Sequence, residues 1–456
     1  MTDDLSRRAF LNRASALSMA GAAAPFALSM GAIGEAAAAT ATDYKALVCI
    51  FLFGGNDYAN TVVPYDAANY TLYQNLRSNI AYQRSQLDST VLNPVAAPAA
   101  GRQYALAPEL APLIAPFDAG KLAVMLNLGT LVQPTTKAQY SAGSVRLPPK
   151  LFSHNDQQSY FQASNTEGAS SGWGGRIGDL FQAGNGNATL TCINASGNAV
   201  FLTGRSAVQY SVSTAGPVAL NSNGTTLFGS TAANSALRSM ITAPRTHLFE
   251  NEHTRVTKRS LDAYTQVTAA LAGAPTINTV YPTGNTLADQ LKLIARLIAT
   301  SNEVGAKRQV YFASLGGFDT HDTLVATHST LLTRVGAAMR AFYDTTVELG
   351  IADRVTAFTA SDFGRTLVSN TDGSDHGWGS MHFVIGGAVN GRRFYGAAPA
   401  VANNGPDDVG QGRLLPSIAV DQYAATLASW FGVSATDLPT VLPNITNYST
   451  RNLGFI

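Results

Sequence analysis

Acidic and imidazole side chains recur in this chain just past short apolar runs. Gly54-Gly55-Asn56-Asp57 follows an apolar run at 45–53, and Ser153-His154-Asn155-Asp156 comes one loop after a run at 121–126. Gly316-Gly317-Phe318-Asp319-Thr320-His321 follows 308–314, and Ser361-Asp362-Phe363-Gly364-Arg365 follows 354–359. Asp375-His376-Gly377 then leads into His382, which opens the run 382–385. Carboxylate oxygen and imidazole nitrogen together suit a divalent metal: Zn, Mn, Fe, Mg or Ca. The metal candidates are Asp57, Asp319, His321, Asp362, Asp375, His376 and His382. Two ions about 4 Å apart would need most of them. The catalytic candidates are Ser153 as a hydroxyl nucleophile, His154 beside it, and Arg365, whose planar fork suits an anionic substrate. Each has a plainer reading. Asp57 suits a turn, Asp362 a helix N-cap, and His382 a hydrogen-bonded place in a core. His247, His253 and His328 read as structural.

The apolar runs are short, rich in Val, Ile, Leu and Phe, and bounded by Gly, Asp or Asn. They read as strands at 45–53, 121–126, 188–193, 308–314, 354–359 and 382–385. Several lack polar alternation, as strands buried on both faces of a mainly parallel sheet do. Leu287, Leu291, Ile294 and Ile298 share one helical face, which predicts a helix over 287–301; others are expected over 331–349 and 249–271. Strand–helix–strand order predicts an α/β fold with a mainly parallel central sheet and helices on both faces. In such sheets ligands bind beyond the carboxyl ends of the strands, where the Asp and His groups fall. The Ser/Thr/Gly/Asn-rich stretch 194–239 reads as loops and short strands beside the sheet, within an insertion spanning about 194–285.

Of 456 residues, 46% are hydrophobic and only 13% charged, with a net charge of +1. Disorder is excluded, and no basic excess exists to neutralise nucleic-acid phosphates. Cys49 and Cys192 both lie in apolar runs and read as small buried hydrophobes. Ser6-Arg7-Arg8-Ala9-Phe10-Leu11, a weakly apolar Ala/Gly/Ser stretch and Ala37-Ala38-Ala39 predict a twin-arginine leader over 1–39, cleaved before Thr40. Glycines and Pro25 interrupt that stretch, so a stable membrane anchor is not expected. The mature chain, 40–456, is expected in the periplasm or outside the cell after handling by the twin-arginine translocase. Gly168-Ala169-Ser170-Ser171-Gly172 matches a nucleophile-elbow pattern but follows a polar segment rather than a strand, and no Walker A, HExxH or EF-hand loop occurs.

Taken in order, several motifs resemble a bacterial family, domain of unknown function 1501. They are the twin-arginine leader, the stretch Gly54-Gly55-Asn56-Asp57-Tyr58-Ala59-Asn60-Thr61-Val62-Val63-Pro64-Tyr65, Phe152-Ser153-His154 with Gln157, Gly317-Phe318-Asp319-Thr320-His321, Ser361-Asp362-Phe363-Gly364-Arg365 and Asp375-His376-Gly377. That family looks like a distant branch of the alkaline phosphatase and sulfatase superfamily. The resemblance implies an alkaline-phosphatase-like fold, one or two divalent metals, and hydrolysis or transfer of phosphate- or sulfate-type esters. By that resemblance Asp57 would be the first-strand metal ligand and Ser153 or His154 would lie near the nucleophile. Asp319 and His321 would form the ligand pair, Asp362 the later acidic ligand and His376 the final His. The chain departs from the superfamily at Phe363, where His usually follows the Asp. The expected function is an exported metal-dependent ester hydrolase acting on a small anionic ester. The alternative is a non-catalytic envelope or extracellular protein that keeps the fold for binding or assembly.

Overall fold

The structure is a computed structural model and describes residues 41–220 and 224–456. The predicted leader over 1–39 lies outside the described residues. At the centre is β1 (Lys45–Phe53), whose sequence KALVCIFLF is buried on both faces. Val48, Ile50 and Leu52 enter one hydrophobic core; Leu47, Cys49 and Phe51 enter the other. Successive side chains of a strand point to opposite faces, so an unbroken apolar run serves two cores at once.

β2 (Val62–Pro64) and β3 (Tyr104–Leu106) form a small antiparallel pair apart from the main sheet. The main sheet draws on β4 (Leu122–Gly129), β5 (Cys192–Asn194), β6 (Tyr210–Ser213), β7 (Gly216–Pro217), β8 (Arg308–Gly316) and β9 (Val355–Ser361). After them β10 (Arg365–Ser369) and β11 (Ser374–His376) form an antiparallel ribbon, followed by β12 (Ser380–Gly386), β13 (Arg393–Tyr395) and β14 (Ile418–Ala419). The main sheet has ten strands in the order β13-β4-β12-β9-β1-β8-β5-β6-β7, with β14 also on β4. β1 pairs in parallel with β8 and β9, and β12 runs antiparallel between β9 and β4. The sheet is mainly parallel, as the apolar runs predict.

The longer helices among the described residues are α1 (Ala67–Leu76), α2 (His154–Ala163), α3 (Trp173–Phe181), α4 (Thr231–Thr242), α5 (Leu248–Ala272), α6 (Thr286–Ala299), α7 (Leu324–Glu348) and α8 (Val420–Phe431). Leu287, Ile294, Leu332 and Phe342 of α6 and α7 fill one core, and Ile177, Tyr423 and Leu427 of α3 and α8 fill the other. Helices therefore cover both faces. Cys49 and Cys192 are buried free thiols.

Three elements differ from the sequence reading. The strand expected at 188–193 is confined to Cys192–Asn194, because Asn187 caps a 3-10 turn over Ala188–Leu190 by accepting from the Thr189 amide. The stretch 194–239 is not all loops and strands: Ser230 accepts from the Ala233 amide and starts α4. The helix expected from 331 begins seven residues earlier, at Leu324.

Candidate metal centre

Parallel pairing sets the ends of three strands level. Phe53 of β1 lies opposite Gly316 of β8, and Leu52 lies opposite Ser361 of β9. β4 ends at the same edge, and the antiparallel β12 begins there. Every segment carrying an Asp or His motif thus leaves or enters the sheet at one edge. Gly54 locks three of them together: its amide donates to Asp362 Oδ2 at 3.2 Å, and its carbonyl accepts from Arg365 at 3.0 Å. Its φ is +116°, and a Cβ there would lie 2.4 Å from the Asp319 amide nitrogen. Only glycine meets both conditions.

His154, Asp319 and His376 converge at this edge. The two Nε2 atoms are 3.1 Å apart. Asp319 lies 3.3 Å from His154 Nε2 through Oδ2 and 3.2 Å from His376 Nε2 through Oδ1. Ligands about 2.0–2.1 Å from a tetrahedral zinc stand about 3.3 Å from each other, so the spacing fits one ion. His321 flanks this trio, with Nε2 2.9 Å from His376 Nε2 and 3.2 Å from Asp319 Oδ1.

The opposite nitrogen of each ring shows which way the lone pairs point. His154 Nδ1 meets Asp362 Oδ2 at 2.7 Å, His376 Nδ1 meets the Phe152 carbonyl at 2.7 Å, and His321 Nδ1 meets Asp375 Oδ1 at 3.1 Å. All three partners are acceptors, so each neutral ring carries its proton on Nδ1 and turns a bare Nε2 toward the common point. Metal-binding histidines are oriented in this way. Two lone pairs about 3 Å apart repel unless a cation or a proton lies between them.

Local electrostatics follow. The hydrogen bond to Asp362 raises the His154 pKa, while burial lowers that of His376. Burial opposes the charge on Asp319, but the hydrogen bond and charge of Arg365 outweigh it and hold the carboxyl below its ordinary range. Phe363 packs 4.9 Å from both the His154 and His376 rings. It walls the centre on that side. The Asp319 and His321 side chains are each 45% exposed, so the centre opens to solvent on their side.

The structure places the other predicted residues differently. Asp57 is not at the centre: it is fully buried, ion-paired with Arg77 at 2.6 Å, and accepts from Ser374 Oγ and the Asn60 amide. Asp362 and Asp375 stand behind the histidines they orient. Asp362 Oδ2 also accepts from Gln158, and buried Oδ1 has no partner among the described residues. His382 lies within the sheet among Phe161, Tyr423 and Thr359, and burial pushes its pKa down to about 3. It stands inside β12 rather than beyond a strand end, and strand alternation turns it onto the face packed by Phe161 and Tyr423. Ser153 caps no amide and donates to Asp156 Oδ2 at 2.9 Å, so its hydroxyl is engaged away from the trio. Arg365 is no free anion clamp: it is fully buried and donates to Ser374, Gly54 and Asp319. The reading missed Arg413. Its Nε donates to the His376 carbonyl at 2.9 Å, and its guanidinium lies 4.8 Å over the Phe152 ring. It sits in a glycine-rich loop with no apolar run before it, so no pattern flagged it.

A family model described as "Protein of unknown function (DUF1501)" matches residues 44–420. The chain belongs to the DUF1501 family. No curated protein matches it in sequence. Among solved structures, Ps i-CgsB in complex with k-i-k-neocarrahexaose is similar at 8% identity and TM-score 0.36, over 88% of this chain and 77% of that one. Lipooligosaccharide phosphoethanolamine transferase A from Neisseria meningitidis gives 9% and 0.33 over 86% of this chain, which spans 55% of that protein. The lipoteichoic acid synthase LtaP from Listeria monocytogenes gives 8% and 0.30, over 87% and 74%. Likeness this loose transfers neither a site residue nor a substrate.

Proposed function

We propose that this DUF1501 protein is an exported metal-dependent hydrolase of phosphate- or sulfate-type esters, on an alkaline-phosphatase-like fold. The observation that carries the reading is the convergence of His154, His376 and Asp319 at ligand spacing, with each imidazole proton turned away to a fixed acceptor. One divalent ion would be held by these three, with His321 beside it. Nitrogen and carboxylate donors suit Zn, Mn or Fe better than Ca. When bound, such an ion supplies Lewis acidity, drawing charge from an ester oxygen and making water acidic near neutral pH.

The chain's own groups do the rest. Asp362 and the Phe152 carbonyl keep the two rings aimed, and Arg365 keeps Asp319 ionised and in place. Arg413 has Nε committed to the backbone, and its terminal nitrogens have no hydrogen-bond partner among the described residues. It is the group we assign to hold the anionic ester oxygens. Among the described residues no serine or threonine hydroxyl hydrogen-bonds the side chains of the trio, so water is the nucleophile in this reading. The absence of a basic surface excess and of a nucleic-acid motif favours a small ester over a polynucleotide. The twin-arginine pattern expected over 1–39 supports export, and among the described residues no helix is long and apolar enough to cross a membrane.

The test is turnover by metal-loaded protein on a broad panel of phosphate and sulfate mono- and diesters. Activity on at least one class is expected. It should fall about 100-fold or more in Asp319→Asn, and Arg413→Ala should raise KM without releasing the metal. Protein that carries metal but is inert on the whole panel would instead be the non-catalytic binding protein.

A further inference from the structure

The carboxyl ends of β1 and β5 border a groove of about 280 Å³ that shares no residue with the His154–Asp319–His376 trio. Phe53, the last residue of β1, and Asn198, four residues past β5, line it from the sheet side. β1, β8 and β5 pair in parallel, so the groove lies at the edge from which Asp319 also departs. The other wall is α2, where Asn155, Gln158 and Gln162 recur at helical spacing, with Glu167 just past the helix. Gln158 joins groove and centre. Its Nε2 donates to Asp362 Oδ2 at 2.8 Å, the oxygen that meets His154 Nδ1 at 2.7 Å.

The free polar groups of this groove are amides. Gln162 is only 5% exposed; its Oε1 accepts from the Phe201 amide at 3.1 Å, while its Nε2 has no partner among the described residues. The side chains of Asn155 and Asn198 and the Oε1 of Gln158 are likewise without partners there. Primary amides set donors beside acceptors, which vicinal hydroxyls, each both donor and acceptor, can satisfy. An alkyl chain would leave these groups unmet. No Lys or Arg lines the groove, and Glu167 has no cation within ion-pair distance among the described residues. A second anion beside the reacting ester would therefore meet a like charge. Phe53 adds an apolar ring for the carbon face of a sugar.

We propose that this groove receives the alcohol part of the ester, and that this part is a neutral polyol about one sugar ring in size, bearing no second anionic group. The proposal rests on the ester-hydrolase reading for the place of the reacting group; the groove adds the substrate class. The anionic ester goes to the centre, and the hydroxyls lie on Asn155, Gln162, Asn198 and Gln158 Oε1. Glu167 turns away alcohols that carry further negative charge.

The experiment is ligand-observed NMR titration of the zinc-loaded mature chain with glucose 1-phosphate, cyclohexyl phosphate and glucuronic acid 1-phosphate, the same spectra showing any hydrolysis. Glucose 1-phosphate is expected to bind at least about 10-fold more tightly than cyclohexyl phosphate, which keeps the ring and lacks the hydroxyls. Glucuronic acid 1-phosphate, with its added carboxylate, should bind about 3-fold or more weakly than glucose 1-phosphate, and Glu167→Gln should close that gap. Asn155→Leu with Asn198→Leu, both at exposed positions, should bring glucose 1-phosphate down to the level of cyclohexyl phosphate; thermal unfolding shows that each variant is folded. Failure to take up zinc, or to hydrolyse any of the three, would count against the hydrolase reading alone, while the order of affinities judges the groove. Cyclohexyl phosphate binding as tightly as glucose 1-phosphate, a preference for the glucuronic acid ester, an unchanged glucose 1-phosphate affinity in the double variant, or no binding of glucose 1-phosphate would each overturn the proposal.

Discussion

The three imidazoles of the centre are steered by groups that do not touch the shared point. Asp362 holds His154, the Phe152 carbonyl holds His376, and Asp375 holds His321. Replacing Asp362 by Asn removes the charge that fixes the His154 tautomer. Metal affinity, measured by titration with a chelating competitor, should fall about 10–100-fold with the fold intact. An unchanged affinity would mean that His154 is not a ligand. His382 makes a separate prediction. Its burial drives the pKa from 6.5 to about 3, so the unfolded chain takes up a proton long before the folded one does. The stability due to the neutral ring is complete above pH 6.5 and drains as pH falls toward 3. Between pH 7 and pH 4 the loss from this residue is about 3 kcal/mol. Urea unfolding at both pH values should show a shallower decline in His382→Met than in the parent. Parallel declines would place the acid sensitivity elsewhere, in His328 first.

At the scale of elements, the centre depends on strand ends and on the turns that leave them. Gly54→Ala would drive a methyl group into the Asp319 backbone at a φ of +116°. A loss of about 2 kcal/mol or more is expected in urea unfolding, together with loss of metal binding, because Asp319, Asp362 and Arg365 all meet Gly54. Retained stability and retained metal binding would contradict this. The strands were the most legible elements: β1 begins and ends where its apolar run does, since burial on both faces leaves no polar residue inside it. The convergence of Asp319, His321, Asp375 and His376 was legible too, because a mainly parallel sheet brings such motifs to one edge. The division of labour among them was not. Whether a carboxylate binds an ion or orients a histidine depends on angstrom-scale placement, and Asp57 gives no sign in sequence of Arg77, twenty residues on. Nor does α4 announce itself, since its cap, Ser230, stands in a run of small polar residues that equally suits a loop.

The molecule is built around a ten-stranded sheet with a hydrophobic core on each face and its working edge at the strand ends. The proposed export route fits that architecture, because a chain that folds and takes up its metal before translocation needs the twin-arginine path. Arg7→Lys with Arg8→Lys should leave the precursor inside the cell, as fractionation and immunoblotting would show; normal export of the double variant would contradict the assignment of the leader. The central claim is the shared point of His154, Asp319 and His376. The most direct measurement of it is metal content and X-ray absorption on protein loaded with zinc or manganese after chelation. One ion per chain is predicted, bound by two imidazoles and carboxylate oxygen, and lost in a His154→Ala/His376→Ala double variant. An apo protein that takes up no divalent ion, or one whose bound ion survives that double variant, would contradict it.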